Sequence, residues 1–178
     1  MLYKSSYWKE PLIDSAKLFD EYKSYAELDE QSLVRIEKDI FVGFYSIRKL
    51  LDTIKVTDEL KTKKYTLQWH KHLGTDVTFI NNHKIDELYD LGAPNKENRD
   101  LWFIASRLIH SYIFSICESE NGGFLGVYFT SDSDKNKKLY YLSVDEIIAI
   151  FEEVGNNYVT EFSWKKDSES GAETLSAK

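Results

Sequence analysis

The sequence contains very little cysteine, proline and glycine. Among 178 residues there are one Cys (Cys117), two Pro and eight Gly. An intramolecular disulfide is therefore impossible, and collagen-like or Pro/Gly-rich disordered classes are excluded. A lone cysteine in an apolar run is typical of a small buried side chain. A cysteine nucleophile would need a base beside it in space, which a sequence does not reveal.

Long hydrophobic runs are also missing. The longest apolar stretch, Leu101 to Cys117, contains Arg107 and His110 and is too short and too polar to span a bilayer. The first ten residues contain no apolar signal region. We therefore expect a cytoplasmic protein of bacterial type that does not associate with membranes.

The common ligand-binding signatures are absent too. Gly122-Gly123 and Gly126 lack the Lys-Ser/Thr end of a phosphate-binding loop and do not begin a helix. No strand-turn serine motif and no pair of acids for glycoside chemistry stands out. The sequence thus predicts no cofactor, and it identifies no small-molecule ligand.

The residues that are present favour one globular unit. Hydrophobic residues make up 42% of the chain and aromatic residues 15%, which is enough for a core. The net charge of −7 argues against a protein whose whole surface binds DNA, although it leaves room for a local basic patch. We expect one α+β domain over residues 1–165 and a disordered tail over residues 166–178, where small and polar residues dominate.

Hydrophobic periodicity predicts the helices and strands. Apolar residues recur at helical spacing from Asp29 to Lys55 and again from Lys96 to Ser115, where the stretch is apolar nearly all round. Alternation predicts strands at Lys64–His72, Phe124–Thr130 and Lys138–Leu142. The predicted fold is α+β: two long antiparallel helices packed on a small antiparallel sheet, with shorter accessory helices.

One strand combines cations with aromatic residues. Its candidate nucleic-acid-binding residues are Lys61, Lys63, Lys64, Trp69 and Lys71. Lysines can follow a phosphate backbone while a ring stacks on a base. The alternation favours a simpler interpretation, in which Tyr65 and Trp69 face the core and the lysines face water.

Two motifs imitate metal sites. His70 and His72 lie two residues apart on the predicted strand, so both side chains point to the same face, with His83 or Asp76 as a possible third ligand. We interpret the histidines as solvated. Asp132 to Asn136 imitates the start of a calcium loop, but Lys137 stands where that loop needs glycine. No metal site is predicted.

Three polar residues lie in the most apolar predicted helix: Arg107, His110 and Tyr112. A cation and an imidazole in a core need partners, and Glu37, Asp39 and Arg48 are the candidates. One interpretation is a structural network with His110 buried. The other is a catalytic cleft formed by His110, Arg107, Arg48 and Tyr112, in which His110 is a general base and arginine binds a phosphate.

Ala105-Ser-Arg-Leu-Ile-His-Ser-Tyr112 resembles the Arg-Asn-x-x-x-His-x-Tyr helix of HEPN domains, which are helical ribonucleases and RNA-binding modules of bacterial toxin and phage-defence systems. His110 and Tyr112 match the motif. Ala105 and Ser106 stand where the family has Arg and Asn. The resemblance covers one helix and implies a degenerate activity, namely binding without cleavage.

The sequence therefore supports two functions. The first is a non-catalytic binding or assembly protein, in a toxin or phage-defence context, with a protein partner or a homodimer formed through the long helices. The alternative is a HEPN-like RNA-binding protein or metal-independent ribonuclease, for which weak RNA binding is expected.

Overall fold

The computed structural model describes residues 4–166, 171 and 173–178. The helices are α1 (Ser6–Tyr22), α2 (Glu30–Leu51), α3 (Asp58–Thr62), α4 (Ile85–Leu88), α5 (Leu101–Ile109) and α6 (Val144–Asn156). The strands are β1 (Lys64–Lys71), β2 (Asn95–Asp100), β3 (Ser111–Glu118), β4 (Phe124–Ser131), β5 (Lys138–Ser143), β6 (Phe162–Lys166) and β7 (Glu173–Ala177). None of the described helices is both long and apolar enough to cross a membrane.

The first five strands form one sheet in the order β2-β1-β5-β4-β3, and β6 pairs with β7 in a separate hairpin. All of these pairings are antiparallel. Helices and an antiparallel sheet are thus segregated in space, which confirms the predicted α+β class.

The main core lies between one face of the sheet and the helices. Leu67 of β1, Phe129 of β4 and Tyr140 of β5 are buried there against apolar side chains of α1, α2, α5 and α6. Tyr65 and Trp69 pack on the same core, as the alternation of β1 predicted. Lys64 therefore projects from the opposite side of the strand, whereas Lys71 is on the side of the rings, at the exposed end of β1.

The second face of the sheet is partly covered by the segment between β1 and β2. Val77, Leu88 and Tyr89 pack there against Ile113 of β3 and Leu139 of β5. His70 points to this side and is buried. The prediction that His70 is solvated is wrong. The segment that covers His70 has no strong hydrophobic period of its own, so the sequence does not indicate that this face of the sheet is covered.

Helices α1 and α2 are the two long helices and run antiparallel. Ser15 Oγ donates to Asp39 Oδ2 at 3.2 Å, and the end of α1 at Tyr22 lies beside the start of α2 at Ser32. Asp29 caps α2 by accepting a hydrogen bond from the Ser32 N–H at 2.8 Å. The predicted helix over Asp29–Lys55 is therefore present, although it ends at Leu51.

The predicted second long helix, Lys96 to Ser115, is wrong. This stretch forms β2, the nine-residue helix α5 and the start of β3. Asp100 ends β2 and caps α5, accepting from the Phe103 N–H at 2.9 Å. A stretch of chain that is apolar on nearly every side fits a buried strand as well as a helix. The β-branched and aromatic residues in Ser111–Glu118 favour the strand.

The end of the chain also differs from the prediction. Residues 173–177, which the sequence assigned to a disordered tail, form β7 and pair with β6. The Ala177 N–H donates to Asp58 Oδ2 at 2.9 Å, and Ala177 is buried. The alternation of Tyr158, Thr160, Phe162 and Trp164 predicts a strand near β6, whereas β7 is too polar to indicate a strand and is defined by its pairing with β6.

Gly43 allows α2 to approach α6. A Cβ at this position would lie 2.3 Å from Cζ of Phe151, whose ring is fully buried. The Phe151 ring also contacts Phe19 of α1 and Phe44 of α2, with ring centroids 5.9 Å and 5.3 Å away. One aromatic side chain therefore fixes the positions of three helices, because no Cβ stands between it and α2.

Lys9 is a fully buried cation in α1. Its ammonium donates to the carbonyl of Lys55 at 2.7 Å and to the carbonyl of Asn157, the residue that ends α6. It also lies 4.3 Å from the centroid of the Tyr158 ring. Burial, with a smaller contribution from the charge of Lys55, lowers the pKa of Lys9 to about 8.

We expect the free energy of unfolding to rise by about 1 kcal/mol between pH 8 and pH 9.5. The unfolded chain keeps the Lys9 proton until about pH 10.5, whereas the folded chain releases it near pH 8. The unfolded state therefore binds more protons in this window, and stability rises with pH. Urea unfolding at several pH values measures the slope.

The Lys9→Met variant is the control, and its stability should not rise in this window but fall slightly, because burial raises the pKa of the Cys117 thiol in the folded chain and the unfolded chain loses that proton first. Measurements stay below pH 10. Burial raises the pKa of Tyr141 to about 12 in the folded chain, so above pH 10 the unfolded chain loses this proton first and stability falls. A wild-type profile that is flat or falls from pH 8 to 9.5 would contradict the assignment.

Candidate protein-binding surface

The predicted catalytic residues lie in different surroundings. His110 ends α5 and is exposed, so the prediction that it is buried is wrong. Tyr112 lies on β3 and packs against Phe79, with ring centroids 5.1 Å apart, while the Lys135 ammonium lies 3.8 Å from the Tyr112 ring centroid. The physical reason is that α5 stops one residue before His110, which removes both side chains from a common helix face.

The two candidate arginines contact different partners. Arg48 lies 4.2 Å over the Trp102 ring and 2.5 Å from Asp52. Arg107 Nε faces Asp134 at 2.6 Å as an ion pair rather than an aligned hydrogen bond. Each cation is thus neutralised by its own carboxylate, and the two arginines do not converge with His110 on one groove.

The motif that resembles HEPN domains is divided by this geometry. Ala105 is buried in α5, His110 caps that helix, and Tyr112 belongs to the following strand. In this chain the motif therefore does not lie on one continuous helix. Kinship with HEPN domains, with the activity it implies, stays a prediction.

The lysines of the predicted nucleic-acid surface are paired with acids. Lys61 lies 3.2 Å from Asp58, Lys63 lies 2.5 Å from Glu153, and Lys64 lies 2.7 Å from Asp100. Lys71 is exposed. Trp69 faces the main core beneath the Lys138 ammonium, which lies 4.3 Å from its ring centroid. The strand therefore presents little unbalanced positive charge beside an accessible ring.

His70 of β1 and His72, which follows this strand, use their ring nitrogens in hydrogen bonds within the protein. His70 is bonded to the carbonyl of Asp90 and to the side chain of Gln68, at 3.1 Å and 3.2 Å. His72 lies 2.7 Å from the carbonyl of Thr75. Among the described residues no three metal-ligating side chains form a group. The prediction that these histidines bind no metal stays open to test.

Cys117 is not arranged as a nucleophile. It lies half-buried on β3. Burial, with a smaller contribution from Glu118, raises the pKa of its thiol. A catalytic cysteine needs the opposite shift, because only the thiolate attacks.

The strongest candidate for function is an apolar surface on the outer side of α2 and α5. We call it the α2–α5 surface and define it by six side chains: Val34, Phe41, Val42, Tyr45, Trp102 and Ile109. Four of them are about half exposed: Val34 57%, Val42 52%, Tyr45 46% and Trp102 50%. Phe41, Val42, Tyr45 and Ile109 line an open depression of about 290 Å³.

Several cations border this surface, together with the exposed acid Glu37, which lies on α2 one helical turn from Val34 and from Phe41. The Lys49 ammonium lies 5.4 Å from the centroid of the Tyr45 ring, and Arg48 covers one side of Trp102. Lys38 is exposed on the same side of α2, one helical turn from Val34 and from Val42. Side chains of this kind bind an apolar partner surface and offer no acid, base or nucleophile arranged for a reaction.

A larger depression of about 420 Å³ lies between the end of α1 and the start of α2. Its walls are mostly polar and charged, including Asp29, Gln31, Arg35 and Lys38. Water satisfies such groups, so this volume gives little free energy to a ligand. The smaller depression on the α2–α5 surface is the better candidate because its walls are apolar.

Sequence reasoning did not detect this surface. The single apolar stripe assigned to α2 contains its buried residues, such as Ile36, Ile40 and Ile47. Val34, Phe41, Val42 and Tyr45 form a second apolar row on the other side of the helix, at spacings of three, four and seven residues. That second row was the available signal, but its exposure depends on which neighbours cover α2.

Comparison of the chain with protein-family models, with curated proteins and with solved structures found no match.

We expect weak binding to single-stranded RNA, at best micromolar at low salt and essentially absent at roughly 150 mM salt. Lys61, Lys63 and Lys64 are neutralised by Asp58, Glu153 and Asp100, so few counterions would be released. Fluorescence anisotropy with a labelled RNA at two salt concentrations measures both affinities. The Lys63→Glu/Lys64→Glu variant is the comparison, and submicromolar binding that survives salt but weakens in this variant would refute the expectation.

Proposed function

We propose that this protein is a non-catalytic assembly protein that associates with a second copy of itself through the α2–α5 surface. The observation that carries the proposal is the exposure of two rings and two valines on α2 and α5, of which Tyr45 and Val42 line one apolar depression. Contiguous apolar surface of this kind on a water-exposed helix pair marks an interaction site.

The available free energy is sufficient for a dimer. Tyr45 and Trp102 are each about half exposed, which leaves roughly 100 Å² of each ring in contact with water. Burying these two rings in both copies gives of the order of 10 kcal/mol before costs. The loss of translational and rotational freedom on association offsets roughly 4–15 kcal/mol. Burial of the two valines, Phe41 and Ile109 therefore supplies the remaining free energy that a stable dimer requires.

The surface is also self-complementary. In a twofold dimer the same patch meets itself, so two α2 helices that cross antiparallel near Phe41 and Val42 place Lys38 of one copy opposite Tyr45 of the other. A lysine over a tyrosine ring is favourable, and Lys49 already makes this contact within the chain. The cations that border the surface thus find rings rather than like charges.

The Tyr45→Glu variant tests the proposal. We expect the wild-type protein to sediment at twice its 20.8-kDa chain mass, in a concentration-dependent manner. Tyr45→Glu should raise the dissociation constant of the dimer at least about tenfold, because it removes a ring from the apolar contact and places a carboxylate there. Lys38 of the other copy offsets this loss only in part, since both charges would have to be desolvated. Analytical ultracentrifugation from about 1 to about 100 μM measures both constants.

Tyr7→Glu is the matched control, since Tyr7 is an exposed tyrosine of α1 away from this surface, at 71% exposure. It should leave the dissociation constant unchanged. A wild-type protein that stays monomeric over the whole range, or a Tyr45→Glu variant that dimerises normally, would refute the proposed function.

A further inference from the structure

Strand β3 forms one edge of the five-stranded sheet and lacks the features that protect sheet edges. Among the strands of the described residues, it pairs only with β4. Its eight residues carry no proline and no charge before Glu118, and they include Ile113, Phe114 and Ile116. The opposite edge strand, β2, follows Pro94 and contains Lys96, Glu97, Arg99 and Asp100. Proline and charge prevent pairing at one edge, whereas the other edge is left able to accept a strand.

The hydrogen-bond pattern shows which groups of β3 are unpaired. The N–H of His72 donates to the carbonyl of Lys137, so even-numbered residues of β1 bond toward β5. Bonding directions alternate along each strand, and the registers His70↔Leu139, Phe129↔Tyr140 and Ser115↔Tyr128 transmit this pattern across the sheet. It follows that residues 113, 115 and 117 bond to β4, while the backbones of Phe114 and Ile116 point outward; Tyr112 lies at a register shift between Ser111 and Ile113, where the alternation is interrupted.

Among the described residues, none makes a hydrogen bond to the outward backbone groups of Phe114 or Ile116. The strand is nevertheless accessible: an open depression of about 200 Å³ runs along it, lined by Tyr112 to Ser115 and by Asn82 and His83. A row of free donors and acceptors beside such a space can accept one further strand.

The free edge adjoins the α2–α5 surface. The ring of Phe114 in β3 lies 4.8 Å, centroid to centroid, from the ring of Phe41, which itself lines the apolar depression with Ile109. A partner that covers one feature therefore lies against the other. A second copy of the chain supplies both an unpaired strand and an apolar helix face in the same relative positions.

We propose that two copies pair antiparallel through β3, which joins their sheets into one continuous ten-stranded sheet and brings the two α2 helices together. This inference rests on the proposed self-association and adds the strand pairing to it. Because the outward groups belong to even-numbered residues, the register joins even residues of one copy to even residues of the other.

Amide hydrogen exchange, followed residue by residue by NMR, tests the pairing. We expect the N–H groups of Phe114 and Ile116 to exchange about tenfold or more slowly at concentrations where the dimer dominates than at high dilution. The N–H groups of Ile113, Ser115 and Cys117 bond to β4 in either state and serve as the internal control, so they should be protected at both concentrations.

Two variants support the measurement. Ser115→Lys adds a cation to the edge strand of both copies and should weaken the dimer at least about tenfold in ultracentrifugation. Thr66→Lys places the same cation on β1, away from this edge, and should not change the dissociation constant. Circular dichroism confirms that both variants fold, so that a loss of dimer is not a loss of structure.

The outcomes separate this inference from the proposed function. A dimer that Tyr45→Glu disrupts, but in which Phe114 and Ile116 exchange rapidly and Ser115→Lys has no effect, refutes strand pairing and leaves the α2–α5 surface as the interface. A protein that is monomeric at every concentration refutes both. Slow exchange at residues 114 and 116 that appears only with the dimer, together with its loss in Ser115→Lys, supports the pairing.

Discussion

The contact between Phe151 and Gly43 fixes the helical layer on which the remaining surfaces depend. The ring of Phe151 occupies the space where any side chain on residue 43 would stand, so α2 lies close against α6. The same ring contacts Phe19 of α1 and Phe44 of α2. Once α2 is held in this orientation, Ile36, Ile40 and Ile47 face inward, and Val34, Val42 and Tyr45 must face outward.

Lys9 imposes a second constraint on the same layer. Its ammonium donates to the carbonyls of Lys55 and Asn157, and no carboxylate of the described residues pairs with it, so it ties the segment after α2 to the end of α6. Burial disfavours the charged form and the nearby charge of Lys55 adds to this effect, so the pKa of Lys9 falls to about 8. The position of α2, and with it the exposed apolar row, is therefore held at both its middle and its end.

Polar residues on this protein mostly neutralise one another. Lys63 with Glu153, Lys64 with Asp100 and Arg107 with Asp134 join different elements. Such pairs orient elements and balance charge, although partly exposed pairs contribute little stability individually. The consequence for function is that groups which look basic or catalytic in isolation are occupied, whereas the apolar row of α2 and the edge of β3 are not.

The local sequence determined the α+β class, the long helix α2 and the inward face of β1. It also determined the start of α6, through the capping box of Ser143 and Glu146. Hydrophobic period and capping residues act over a few neighbouring positions, which is why these features can be predicted. The local sequence did not determine the division of residues 95–118. Apolar residues on every side, as in Leu101–Cys117, fit a helix or a buried strand equally, and pairing with β1 and β4 decided the outcome.

The candidate surface shows the same limit. Val34, Phe41 and Tyr45 are visible in the sequence as apolar residues, but only the packing of α1, α5 and α6 around α2 decides that this side stays uncovered, since exposure is a property of neighbours distant in the chain.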